Sequence, residues 1–249
     1  MHKIVVLWAT PRTTSTAFEW MMRMRKDMIC FHEPFGEPWY KGNDARFPRL
    51  NADSPRIPGL TRQVILDRLK KAAATGPTFS KDMPHYITDL ADDEFLSLFT
   101  HSFLIRDPAK AIPSIYSRAP EWKIEEFGYK EHRWLFDHVA EWQGHPPPVI
   151  DSDDLLEDPH GIVAAWCKAV GIPFLPEALS WEPGAREEVS WYDEGSWHDK
   201  LSQSTGLRPQ PRTYGRIEDA SDEVKLIYHD ALPHYQHLHA HRLGAVRGR

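Results

Sequence analysis

The residues that could do chemistry begin at Thr10-Pro11-Arg12-Thr13-Thr14-Ser15-Thr16, where one guanidinium stands among the hydroxyls of Thr13, Thr14, Ser15 and Thr16. The segment follows the apolar run Ile4-Val5-Val6-Leu7-Trp8 and precedes a helical pattern with Ala17, Phe18, Met21 and Met22 on one side. A loop between a buried strand and a helix start is a ready anion site, because the first backbone N–H groups of a helix have no intrahelical partner. Side-chain capping accounts for one or two of these hydroxyls. Arg12 and the remaining hydroxyls are then available to a ligand. The Gly-rich G-x-x-x-x-G-K-[ST] pattern is absent, which disfavours an ordinary ATPase or kinase phosphate loop.

A second strand-turn-helix repeats the theme. Ser102-Phe103-Leu104-Ile105 runs into Arg106-Asp107-Pro108, and Ser114 follows Arg106 by eight residues. An arginine at a strand tip offers a planar fork to phosphate. A hydroxyl on the next helix adds a donor. The structural alternative is Arg106 paired with Asp107 and a core-facing Ser114. Glu33, in His32-Glu33-Pro34-Phe35, and the stretch Lys81-Asp82-Met83-Pro84-His85 put titratable groups after two other strands.

The elements that must position these groups alternate. Strands are expected at 4–8, 28–31, 78–81, 102–105 and 148–150, and helices at 15–26, 60–74, 109–118, 129–142, 161–170 and 221–242, the last bent at Pro233. Alternation of this kind predicts an α/β fold with three layers, a mostly parallel sheet flanked by helices, and right-handed crossovers. Residues 36–59, rich in Pro, Gly, Asn and aromatics, read as an ordered loop, with Tyr40–Pro58 suited to be a lid. Residues 173–213 are irregular. Neither repeats nor a linker divide the chain, so one domain over 1–249 is expected. Ligands of such sheets bind beyond the carboxyl ends of the strands, where both basic turns fall.

On these motifs the chain resembles sulfotransferases that use 3′-phosphoadenosine 5′-phosphosulfate. Pro11-Arg12-Thr13-Thr14-Ser15 is similar to the family's 5′-phosphosulfate loop, Pro-[Lys/Arg]-Ser-Gly-Thr, with Thr14 where glycine is usual. Ala17 stands where many animal members carry an adenine-stacking Trp. Arg106 and Ser114 keep the spacing of the 3′-phosphate motif. Residues 148–159 resemble a further family strand and turn, whose acids we take as structural. Ser204-Thr205-Gly206-Leu207-Arg208 is the best match to the basic C-terminal clasp, which assigns Gly206 and Arg208 to the donor. The resemblance implies a P-loop-like fold and sulfuryl transfer to a hydroxyl or similar nucleophile of a small molecule, with no metal. Arg12 then neutralises the leaving group, with hydrogen bonds from Thr13 to Thr16. Glu33 is the first choice of general base. His85 is the second, two places later than the family's Lys-x-His element puts it, and Lys81 assists. Two other readings stay open: phosphoryl transfer on the same frame, and a non-catalytic module that binds a nucleotide or other phosphorylated ligand.

Composition narrows the partners. The 249 residues carry a net charge of −6 without a basic block, which argues against a nucleic-acid partner. Cys30 and Cys167 sit in apolar surroundings and read as buried thiols in a reducing compartment. The run Ile4–Ala9 is too short for a signal sequence, and no stretch is long enough to span a membrane. A soluble, cytoplasmic protein of undetermined oligomeric state is the expectation. His229, His234, His237, His239 and His241 crowd the last helix. His237 and His241, four apart, could share a zinc-binding face, but nothing nearby supplies further ligands. Trp181, Trp191 and Trp197 suit either an acceptor pocket or a core.

Overall fold

The computed structural model describes residues 2–43, 56–120, 122–184, 199–209 and 216–244. Five strands form one sheet: β1 (Ile4–Ala9), β2 (Ile29–His32), β3 (Thr78–Asp82), β4 (Phe99–Ile105) and β5 (Val149–Asp151), in the order β2-β3-β1-β4-β5. Every pairing is parallel. The centre of the sheet is β1, buried along its whole length, as an apolar run covered on both faces requires.

Side chains alternate across a strand, and β1 divides its residues between two cores. Ile4, Val6 and Trp8 pack with α3 (Arg62–Thr75), α4 (Asp93–Ser97) and α6 (Tyr129–Gln143). Val5, Leu7 and Ala9 pack with α1 (Ser15–Met24) and α8 (Pro159–Val170). Three layers result, as expected. A smaller cluster joins α5 (Pro108–Tyr116) to α10 (Asp222–His239) through Ile112, Ile115, Val224 and Ile227.

The expected strands and helices form, with ends displaced by a few residues. Residues 36–59 begin with a helix, α2 (Gly36–Lys41), rather than a loop. Pro38, its third residue, is compatible because the first turn needs no N–H there. Residues 44–55 of the expected lid, and Trp191 and Trp197, lie outside the described residues. The acidic turn after β5 is a helix too, α7 (Ser152–Glu157), since Asp151 accepts hydrogen bonds from the N–H groups of Asp153 and Asp154. The irregular stretch holds a 3-10 turn, Pro176–Leu179, and a short helix, α9 (Asp199–Ser202). Pro233 lies inside α10. Trp181 is core, facing Trp20 of α1 with ring centroids 6.4 Å apart. Among the described residues no helix is long and apolar enough to cross a membrane.

Two buried histidines brace the central strand. His101 Nδ1 accepts from the Trp8 indole at 3.0 Å, so Nε2 carries the hydrogen and donates to the Leu96 carbonyl at 3.1 Å. His132 Nε2 bonds the Trp8 carbonyl at 3.1 Å. Burial pushes both imidazoles down from their ordinary value of 6.5 to about 4. Between pH 6.5 and 4 the unfolded chain therefore binds protons that the folded chain refuses, and stability falls as pH falls through that window. Each histidine should cost roughly 2 kcal/mol by pH 5. Urea midpoints at pH 7, 6 and 5 test this, and a flat midpoint over that range would count against neutral, buried imidazoles.

Candidate active site

Because all five strands run in one direction, their carboxyl ends share one edge, where Ala9, His32, Asp82, Ile105 and Asp151 end their strands. The candidate groups are distributed along this edge. The loop between β1 and α1 is held from three sides. Thr13 Oγ1 donates to the Thr10 carbonyl at 2.8 Å. Arg106, at the tip of β4, donates through Nη1 to the Arg12 carbonyl at 2.9 Å. Ser152, at the start of α7, donates to the Thr13 carbonyl.

The two basic turns meet directly. Arg12 Nε donates to Ser114 Oγ on α5 at 3.2 Å. Asp107 instead caps α5 by accepting from the Ala109 N–H at 2.8 Å. The spacing of Arg106 and Ser114 thus brings both against Arg12, and one polar cluster spans the β1 and β4 ends. Thr13 and Ser15 are buried, while Arg12, Thr14 and Thr16 are half-buried.

Backbone conformation singles out the same edge. Among the described residues, the non-glycine positions with positive φ are Arg12 (66°), Thr14 (70°), Lys26 (59°) and Glu33 (42°). Three of these four are candidate site residues, and such strain concentrates at functional sites. Thr14 precedes α1 in the left-handed region without a side-chain capping bond. A left-handed residue explains why glycine is comfortable at this place.

A buried charge cluster occupies the ends of β2 and β3. Lys81 Nζ donates to Glu33 Oε1, and the lysine is fully buried. His32 Nδ1 lies 2.6 Å from Glu19 Oε2, and His32 Nε2 lies 3.9 Å from Glu33 Oε1. Arg23 bonds the other oxygen of Glu19. Burial opposes the charge on Glu19, but His32, Lys81 and Arg23 outweigh it and hold the carboxyl down at about 2. Asp82 behaves oppositely. Burial pushes its carboxyl well above the usual range, against hydrogen bonds from the N–H groups of Phe35 and Met83. Glu19 and His32 are residues that sequence patterning passed over. The available signal was a carboxylate inside the buried stretch Phe18-Glu19-Trp20-Met21-Met22.

His85 is placed differently. It is buried against Trp39 and Tyr86, with ring centroids at 5.7 and 4.3 Å. A Cβ on Gly128, whose φ is +70°, would come within 2.8 Å of its Nδ1. Gly206 and Arg208 are the residues expected to clasp a ligand from the C-terminal part. Gly206 bridges to Ser180, and its neighbour Leu207 is buried in the core beside α1. Arg208 is exposed. A cavity of about 530 Å³ opens beside Asp107, lined by Lys110, Arg216, Lys225, Tyr228 and His229 among others. Sequence patterning missed these cations because 107–110 and 216–229 meet only in the fold. In the last helix His237 pairs with Asp137 at 2.6 Å. Among the described residues no group of three or more His, Cys, Asp or Glu is arranged to hold a metal ion.

The model of the sulfotransferase domain family matches residues 2–242. Two proteins of Arabidopsis thaliana, named branched-chain-amino-acid aminotransferase-like proteins 2 and 1, are each 25% identical over 239 residues, covering 94% and 96% of this chain. The chain spans 42% of the length of each. Sulfotransferase ppzF of Metarhizium rileyi is 26% identical over 192 residues, covering 63% of this chain and 56% of that protein. Among solved structures, the sulfotransferase domain from the curacin biosynthetic pathway is similar at a TM-score of 0.49 and 13% identity, covering 92% of this chain and 97% of that one.

The conformation of Thr14 carries a prediction. A left-handed non-glycine residue costs roughly 1–2 kcal/mol, so Thr14→Gly should raise stability by about 1 kcal/mol. Equilibrium unfolding in urea reads this out, and an unchanged or lowered midpoint would show that the threonine side chain offsets its own strain.

Proposed function

The chain belongs to the sulfotransferase domain family, and we propose that it moves a sulfuryl group from 3′-phosphoadenosine 5′-phosphosulfate to a hydroxyl or similar nucleophile of a small molecule. The observation that carries this reading is the junction of the two basic turns, in which Arg12 Nε meets Ser114 Oγ while Arg106 holds the Arg12 carbonyl. A donor with phosphate groups on the 3′ and 5′ oxygens of one ribose needs two anion sites in a set relation, and the contact between the two turns supports that reading.

The residues present suit such a donor. Helix α1 starts without a side-chain cap, so its first N–H groups suit a phosphosulfate, together with Pro11, Arg12 and the hydroxyls of Thr13, Thr14, Ser15 and Thr16. Arg106 and Ser114 take the 3′-phosphate. The cavity beside Asp107 has a volume suited to part of a nucleotide, and in this reading its cations Lys110, Arg216 and Lys225 face the same phosphate. Gly206 and Arg208, the expected C-terminal clasp, do not line that cavity.

In the transfer the acceptor oxygen attacks sulfur as the bond from sulfur to the 5′-phosphate oxygen breaks. The leaving oxygen keeps the electron pair, and Arg12 faces the charge that grows there. Glu33 takes the acceptor proton. Its position at the end of β2 and its bond to the buried Lys81 support this role over His85, which is enclosed by aromatic rings. Lys81 orients the carboxylate, and no step requires a metal.

Two measurements test the proposal. Adenosine 3′,5′-bisphosphate should raise the Tm well above what ADP achieves, because a ligand stabilises the state that binds it. Equal shifts would remove the donor assignment. Glu33→Gln should cut turnover of the sulfuryl donor against a panel of alcohols and phenols by about 10²- to 10⁴-fold, leaving the bisphosphate-induced Tm shift in place. Retained turnover would remove Glu33 as the base. A bisphosphate shift with no turnover in the unsubstituted protein would favour a binding module.

A further inference from the structure

The pair Glu19–His32 is not needed by the reaction as written, yet it is among the most enclosed polar arrangements of the site. The Glu19 side chain is 1% exposed and that of His32 5%. An ionised carboxylate only accepts hydrogen bonds, and Glu19 is held ionised by its neighbours. The 2.6 Å contact therefore requires a hydrogen on Nδ1, and in a neutral imidazole Nε2 is then the acceptor. That acceptor nitrogen is the atom directed at Glu33, 3.9 Å from Oε1. The separation exceeds a hydrogen bond and is spanned by one water or a small turn of the carboxylate. Four charged groups from three elements face His32: Glu19 and Arg23 from α1, Glu33 beyond the end of its own strand, and Lys81 from β3.

We infer that His32, oriented by Glu19, is a positioning residue that aligns Glu33 and receives at Nε2 the proton that Glu33 takes from the acceptor. The inference rests on the reading of Glu33 as the base. The step balances. The acceptor O–H bond breaks and its proton passes to the Glu33 carboxylate. It then moves to His32 Nε2, giving an imidazolium next to ionised Glu19 and a carboxylate restored for the next turnover. An isolated imidazolium in this enclosure would be costly, and Glu19 supplies the counter-charge. The helix that starts at the donor loop thus supplies this counter-charge about one turn later.

The alternative is that Glu19–His32 only pins α1 to β2. Kinetics separate the two. His32→Gln and Glu19→Gln, assayed with the panel acceptor that turns over fastest, should each lower kcat by about 10- to 100-fold. The KM for the donor should stay within about twofold, and the acid limb of the kcat–pH profile should move. The double variant should be little worse than either single one, because both break one unit. Lowered Tm with unchanged kcat and an unmoved profile would overturn the inference, as would a loss confined to KM. Glu33→Gln measured in parallel keeps the two readings apart. If Glu33→Gln is inactive while His32→Gln is fully active, the relay falls and the base stands. If Glu33→Gln is active, both fall. Should either variant fail to fold, ¹⁵N-histidine NMR of the unsubstituted protein decides, with His32 expected as the Nδ1–H tautomer. The Nε2–H tautomer would overturn the inference.

Discussion

The whole site depends on β1 being central and its neighbours being parallel to it. Flanked by β3 and β4 and covered on both faces, β1 carries no charged side chain from Ile4 to Ala9. Its polar chemistry is displaced to the point where the chain leaves the sheet. Parallel neighbours bring the ends of β3 and β4 to that point, and with them Lys81 and Arg106. The Arg106 bond to the Arg12 carbonyl follows from this arrangement. One strand tip supplies the side chain that shapes the loop leaving the adjacent strand. A lysine at position 106 would lack the planar fork that can hold a carbonyl and still direct donors elsewhere.

The same constraint concentrates charge where water is scarce. Glu19, Arg23, Glu33, Lys81 and Asp82 lie within two neighbouring strand ends and one helix, and burial penalises each of them. The cluster survives because it is balanced. Glu19 is matched by Arg23, and Glu33 by Lys81. The fifth group, Asp82, is pushed toward its neutral form by burial and by nearby Glu33. A second ionised acid beside Glu33 would compete for Lys81. The push on Asp82 toward its neutral form lessens that competition and favours the bond of the lysine to Glu33. Buried ion pairs of this kind add little net stability against a hydrophobic substitute.

What could be read from the chain beforehand follows from how local each feature is. The strand-turn-helix at Ile4–Met24 and its partner at Phe99–Tyr116 were legible because strand, turn and helix are adjacent in sequence and the period of apolar residues changes within a few positions. Their meeting through Ser114 was not legible, since residues 12 and 114 are joined by topology alone. Short helices escaped for another reason. In α7 the decisive feature is one capping carboxylate, Asp151, within a run of acids that otherwise reads as a solvated turn. Glu19 was hidden by its own helix. A charged residue in an amphipathic pattern is ordinarily placed toward solvent, and only the packing of α1 against β2 reveals that this one faces inward. His85 lies four residues after Lys81, and the 3-10 turn that follows β3 packs it against Trp39 and Tyr86.

Backbone strain connects these observations. Arg12 and Thr14 bracket the buried Thr13, whose hydroxyl closes the loop on Thr10. Two left-handed residues so close together reverse the chain sharply enough for α1 to begin directly over the strand end. Glu33 makes the equivalent reversal after β2, where its N–H bonds the Lys81 carbonyl at 2.7 Å and its carbonyl accepts from Gly36 at 2.9 Å. At each place the backbone of the site residue is fixed by main-chain or side-chain bonds before its side chain is used. Glycine would relieve the strain at all three, but it would remove the guanidinium of Arg12 and the carboxylate of Glu33. Only at Thr14 does the residue's place as a helix cap offer the chain a choice. The strained conformations at Arg12 and Glu33 thus fall on residues of the proposed site, and the turn that precedes α1 is made at Arg12 and Thr14.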